Sequence, residues 1–176
     1  MESQELIIHI DWSGPHSFVE VASFCGQTDF GIYQVYGAHH VYGSDVLLYI
    51  GQAALQTFAG RFAQHLWCPG NHDAARLQIY VGRLFGGQTP DNPTWERHID
   101  LAERLLIQAH KPAENSQKEL VIGLDSSLQH VHVLNWSQYR DLMPEVSGAR
   151  WSSRFDSLPC KPHFTTADHI PAPQPL

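Results

Sequence analysis

Phe30-Gly31-Ile32-Tyr33-Gln34-Val35-Tyr36 is followed, across a glycine-bearing connection, by Val46-Leu47-Leu48-Tyr49-Ile50-Gly51. The first run is rich in β-branched and aromatic residues and reads as a strand. The second is apolar almost throughout, the pattern of a strand covered on both faces. Between them, residues 37–44 carry Gly37, Gly43 and the pair His39-His40, and read as the loop of an antiparallel hairpin. Each run also places a tyrosine beside a glycine, where another backbone or a ligand can approach closely.

Downstream, Phe58, Phe62 and Leu66 recur at i, i+4 and i+8, which predicts an amphipathic helix over residues 56–67. Arg61 and His65 form a second stripe on it, one turn apart. Cys68-Pro69-Gly70-Asn71 breaks that helix. Residues 76–85 alternate, with Leu77, Ile79 and Val81 apolar, and read as a third strand stopped by Gly86-Gly87. The longest helical signal covers residues 93–111, with Trp95, Ile99, Ala102, Leu105, Leu106 and Ala109 on its apolar face and Pro112 at its end. Glu103 lies near the boundary of that face.

Upstream, residues 5–10 suggest a short strand closed by the turn Asp11-Trp12-Ser13-Gly14-Pro15, and residues 17–24 a short helix. Behind the long helix, residues 120–124 and 130–134 are strand-like and residues 137–142 suit a short helix. These elements predict an α+β domain over residues 1–155, with a loosely ordered, proline-rich tail over 156–176.

At 176 residues, with 43% hydrophobic content, the chain can build one core without staples. No stretch approaches a membrane span, and Met1-Glu2-Ser3-Gln4-Glu5 lacks the basic start of a secretory signal. Cys25, Cys68 and Cys160 are odd in number and far apart, which suits buried free thiols in a reducing compartment, the cytoplasm. The net charge of −7 argues against binding a polyanion through the overall field, and the 12 histidines add little at neutral pH. Contact with nucleic acid would need a local patch, for which Arg61, Arg76, Arg83, Arg97, Arg104 and Lys111 fall within one central span.

In order, the chain carries Gly31-Ile32-Tyr33, Tyr49-Ile50-Gly51, Arg61 with His65, Glu103 on a helix, and Pro112-x-x-Asn115. This set resembles the GIY-YIG nuclease superfamily over residues 30–115. The resemblance implies a small three-stranded antiparallel sheet flanked by helices, here with a C-terminal extension of short strands and a helix. It also implies a metal-dependent endonuclease acting on DNA, or RNA, with one magnesium or manganese ion held by Glu103. The fifteen residues between Tyr33 and Tyr49 are more than the family usually has, and the surplus falls in the 37–44 loop.

Phosphodiester hydrolysis requires a deprotonated water and compensation of charge in the transition state. Tyr33 suits the general base, since a phenol beside a cation can titrate below its ordinary pKa of about 10. Tyr49 would position the water or share the proton, and Arg61 offers a planar donor fork to the phosphate. His65 would relay a proton or hold Arg61's target in place, and Glu103 would bind a hard cation. Asn115 would close the Glu103 helix or bond a strand tyrosine.

Singly, each residue has a plainer reading: strand tyrosines, a solvated helix edge, a surface glutamate. A non-catalytic binding or protein-interaction domain on the same scaffold is the competing expectation, favoured by the acidic charge. Gly70-Asn71-His72-Asp73 resembles one block of the metallophosphoesterases, but the partner blocks are missing: His9-Ile10-Asp11 is reversed and His130-Val131-His132 lacks its glycine. An exposed sheet face accounts better for His130 and His132 than a metal site does.

Overall fold

The computed structural model describes residues 5–64, 76–86, 91–115 and 126–151. In chain order they form β1 (Leu6–His16), α1 (Phe18–Val21), β2 (Gly31–His39), β3 (Gly43–Ala53), α2 (Phe58–Gln64), β4 (Gln78–Phe85), α3 (Asn92–His110), β5 (Val131–Ser137) and β6 (Glu145–Ser147). Single 3-10 turns at Ser126–Leu128 and Gly148–Trp151 complete the set. The architecture is α+β, as expected. No described helix is long and apolar enough to cross a membrane.

One six-stranded sheet runs in the order β3-β2-β4-β1-β5-β6. All neighbours are antiparallel except β1 and β5, which run parallel with Leu6 opposite Val131 and Trp12 opposite Ser137. The expectation of a three-stranded sheet is therefore corrected. The antiparallel unit β3-β2-β4 is present, but β1 takes the free edge of β4 and carries β5 and β6 beyond it. The correction traces to Gly14-Pro15, read as a stop after Asp11. Proline cannot donate to a ladder, yet here it sits in an irregularity between Ser13 and His16 where no ladder bond is needed, and the strand passes through.

Alternation along the strands divides the core into two layers. Toward α3 point Ile32, Ile50, Ile8, Ile10, Trp12 and Val133, packed on Ile99, Ala102, Leu105 and Leu106 of that helix. Toward α1 and α2 point Tyr33, Val35, Leu48, Ile79 and Val81, packed on Val21, Phe58 and Phe62. Leu48 and Ile50 serve opposite layers because the β2–β3 register shifts between Val35 and Tyr36, where Leu48 is the extra residue, and β3 is covered on both faces as its apolar run predicts. Each such aliphatic side chain removed from water contributes about 1.5–3 kcal/mol.

The helices are bounded by their own chemistry. Ser17 and Glu20 form a capping box at α1. Asp91 accepts from Thr94 N at 3.0 Å at the start of α3, and Lys111 closes that helix in the left-handed region at φ 48. Two further expectations are corrected. The 37–44 loop is shorter, because β2 runs to His39 and β3 starts at Gly43. The helix expected over 137–142 is absent: Ser137 ends β5 and residues 138–142 are bends and turns, with Ser137 and Arg140 at positive φ. Cys25, expected to be buried, is exposed, while the strand expected at 120–124, the Gly70–Asp73 block, Cys68, Cys160 and the 156–176 tail lie outside the described residues.

Candidate active site

The two glycines of the hairpin motif are both used for close approach. At Gly31, φ is +148 and a Cβ would collide with the carbonyl oxygen of Gly82 on β4. At Gly51 a Cβ would stand 2.5 Å from the Tyr33 hydroxyl and 2.5 Å from Tyr49 Cε1. The bare backbone of Gly51 is therefore what allows the two phenols to share one place at the open end of the hairpin. Their rings stack at 6.2 Å between centroids with 24° between planes, and Phe62 of α2 meets Tyr33 edge-on at 4.8 Å.

Tyr33 is fully buried, at 0% exposure. Burial raises its pKa above the ordinary phenol value, Tyr49 adds to the rise, and the Arg61 guanidinium draws it back down. Tyr49 is raised for the same first reason, with Glu103 adding and Arg61 opposing. Glu103 is only 3% exposed and acts electrostatically on both phenols. β2, β3, α2 and α3 thus bring Tyr33, Tyr49, Arg61 and Glu103 within one electrostatic neighbourhood. Burial of Glu103 corrects its reading as a surface or boundary residue: Ala102, Leu105, Leu106 and Ile107 around it are buried as well, so that side of α3 is inside the molecule.

Arg61 also lines a cavity of about 230 Å³ bounded by Gln52, Leu55, Gln56 and Glu96. Its Nε donor is buried and has no acceptor among the described residues. A buried guanidinium donor without an acceptor costs about 1–3 kcal/mol or more, and an anionic oxygen is its natural complement. Gln52 and Glu96 are cavity residues that carried no sequence signal. Gln52 directly follows Tyr49-Ile50-Gly51, which is the one clue to it.

Asn115 takes neither of its expected roles, since it touches no tyrosine hydroxyl in its described bonds and Lys111 closes α3. Its amide accepts from Ile50 N at 2.9 Å and donates to Ile50 O at 2.8 Å. A side chain thereby replaces a neighbouring strand along the outer edge of β3, alongside Ala113 N to Leu47 O and Glu114 N to Leu48 O. Asn115 holds the Tyr49-Ile50-Gly51 segment through the backbone of Ile50. His65 lies outside the described residues.

Glu103 and the phenols it acts on electrostatically, Tyr33 and Tyr49, carry hard oxygen atoms, the chemistry that suits a divalent cation keeping several waters. Among the described residues no three His, Cys, Asp or Glu side chains gather as a dedicated metal cage. Comparison with known proteins gave no match to a family model, a curated protein or a solved structure.

Proposed function

We propose that this chain is a metal-dependent endonuclease of the GIY-YIG type, hydrolysing a nucleic-acid phosphodiester, with DNA the preferred substrate over RNA. The observation that carries the reading is the convergence of Tyr33, Tyr49, Arg61 and Glu103 from four separate elements, beside a glycine that makes room for both phenols. Nothing in a packed core requires an arginine, a glutamate and two phenols to meet there, and burying them opposes stability.

In this scheme Arg61, which lines the cavity, donates to a non-bridging phosphate oxygen through its guanidinium. Tyr33 Oη takes the proton of the attacking water. Tyr49, stacked against it, orients that water or shares the proton. His65 would relay the proton onward. Glu103 would hold one magnesium or manganese ion, which when bound supplies positive charge at the phosphate and favours the phenolate. Because burial holds the Tyr33 proton on, Tyr33 serves as a base only in the loaded site. The same burial favours the alternative reading, a non-catalytic nucleic-acid-binding or interaction domain in which the phenols stay neutral.

Glu103→Gln keeps the shape of the side chain and removes its charge. Nicking of supercoiled plasmid in magnesium is expected to fall by about a hundredfold or more, with the far-UV circular dichroism unchanged. Equal nicking by wild type and variant overturns the mechanism, and no nicking by wild type in magnesium or manganese leaves the binding-domain reading standing.

A further inference from the structure

A groove leads away from Arg61 toward a second feature. The cavity at Arg61 shares Leu55 and Glu96 with one of about 380 Å³ lined by Phe30, Asn92 and Trp95. That one shares Gln27 and Trp95 with a third, of about 420 Å³, which includes His9, Phe85 and His98. At its far end, outward-facing residues of three neighbouring strands form an aromatic platform. His9 on β1 stacks on Trp136 of β5 at 6.1 Å and 18°, and lies 5.6 Å from Phe85 of β4. Trp136 Nε1–H donates to His9 Nδ1 at 3.1 Å, which fixes the pair. Phe85 is 50% exposed and Trp136 47%.

We infer that this groove and platform bind an unpaired nucleic-acid strand through its bases and lead it to the Arg61 end, an inference that rests on the nuclease reading above. Three observations select that occupant. The groove is continuous with the cavity that Arg61 lines. Its lining combines aromatic faces (Trp95, Phe85) with amides (Gln27, Asn92), the chemistry that stacks on bases and bonds their edges. Its charge is balanced: among the described lining residues Arg61 is the only guanidinium, and Glu96 opposes it. A duplex, which hides its base faces and presents phosphates, finds no basic track here. An unpaired strand finds stacking surfaces, and the net charge of −7 then ceases to be an obstacle.

The test uses the full chain in EDTA, so that binding is read without cleavage, and fluorescein-labelled oligothymidylate of about 20 nucleotides. Fluorescence anisotropy is expected to report binding that exceeds that of a duplex of equal length and that weakens less than about tenfold between about 50 and 200 mM salt. Trp136→Ala should weaken it by about five- to a hundredfold, Trp136→Phe should restore most of the loss, and Val19→Ala, at a site 80% exposed elsewhere, should leave it unchanged. Equal or tighter duplex binding, a salt loss of about a thousandfold, or indifference to Trp136→Ala each overturns the inference. Plasmid nicking in magnesium by a protein that does not bind oligothymidylate rejects the platform and keeps the nuclease. Oligothymidylate binding with no nicking keeps the platform and rejects the nuclease.

Discussion

Gly51 is the residue on which the site's geometry turns. An alanine methyl there would press on Tyr33 Oη and Tyr49 Cε1 at 2.5 Å, and the Tyr33 ring is backed by Phe62 at 4.8 Å. Gly51→Ala should cost about 1–3 kcal/mol in urea unfolding, the range for an overpacked core, and should lower nicking more than a stability loss of that size explains. Tyr33 yields a pH test. Its pKa is raised, so the neutral phenol is the resting form across the neutral range. If it is the base, the fraction in active form grows with pH, and the nicking rate is expected to rise about tenfold per pH unit from neutrality upward. Tyr33→Phe should remove about 10²–10⁴ of the rate and the slope together. That Tyr33, Tyr49, Arg61 and Glu103 form a set is legible through their order along the chain, and the structure brings these four into one electrostatic neighbourhood. Gln52 and Glu96 were not legible, because membership of a cavity wall depends on where α3 crosses the hairpin.

Elements held by single side chains are the next level. The outer edge of β3 is closed by the Asn115 amide, so Asn115→Ala would leave Ile50 N–H and C=O without partners in a buried place. A loss of about 2–3 kcal/mol in urea unfolding is expected, and reduced nicking with it, since Tyr49 and Gly51 flank Ile50. His110 performs a comparable task at the end of α3. Nε2 accepts from Met143 N at 2.8 Å, so Nδ1 carries the proton and donates to Leu106 O at 2.9 Å. Burial lowers its pKa, with the Leu106 bond opposing. Its contribution is therefore complete above the unfolded value of about 6.5 and lost as pH falls through the lower folded value. The urea midpoint should drop below about pH 6.5, and His110→Gln should flatten that portion of the profile. Elements with strong internal periodicity (α3, β2, β3, β4) were legible within a few residues. Residues 137–142 were misread because Arg140, at φ 54, stacks 3.8 Å over Tyr36 and pairs with Asp45 on the distant hairpin. That long-range attachment overrides a local preference for helix.

At the scale of the molecule, composition bounded the answer without choosing it. An α+β fold with one core follows from the alternation of strand and helix patterns. The extent of the sheet does not, because pairing of β1 with β4 and β5 joins segments far apart in the chain. If binding runs through bases rather than phosphates, as the net of −7 favours, activity on an unpaired strand is expected to be less sensitive to salt than activity on a duplex, a comparison that parallel nicking and oligomer-cleavage assays would make directly.

The parallel pair of β1 and β5 has a consequence for biosynthesis. Leu6 must wait for Val131 to be made before its strand gains its second neighbour. At a translation rate of about 5–20 residues per second, that interval is roughly 6–25 s. Throughout it, Ile8, Ile10 and Trp12, all buried in the finished protein, belong to a strand that has at most β4 beside it. The nascent chain is thus most dependent on chaperones early, and a fragment ending at residue 115 should precipitate where the full chain does not.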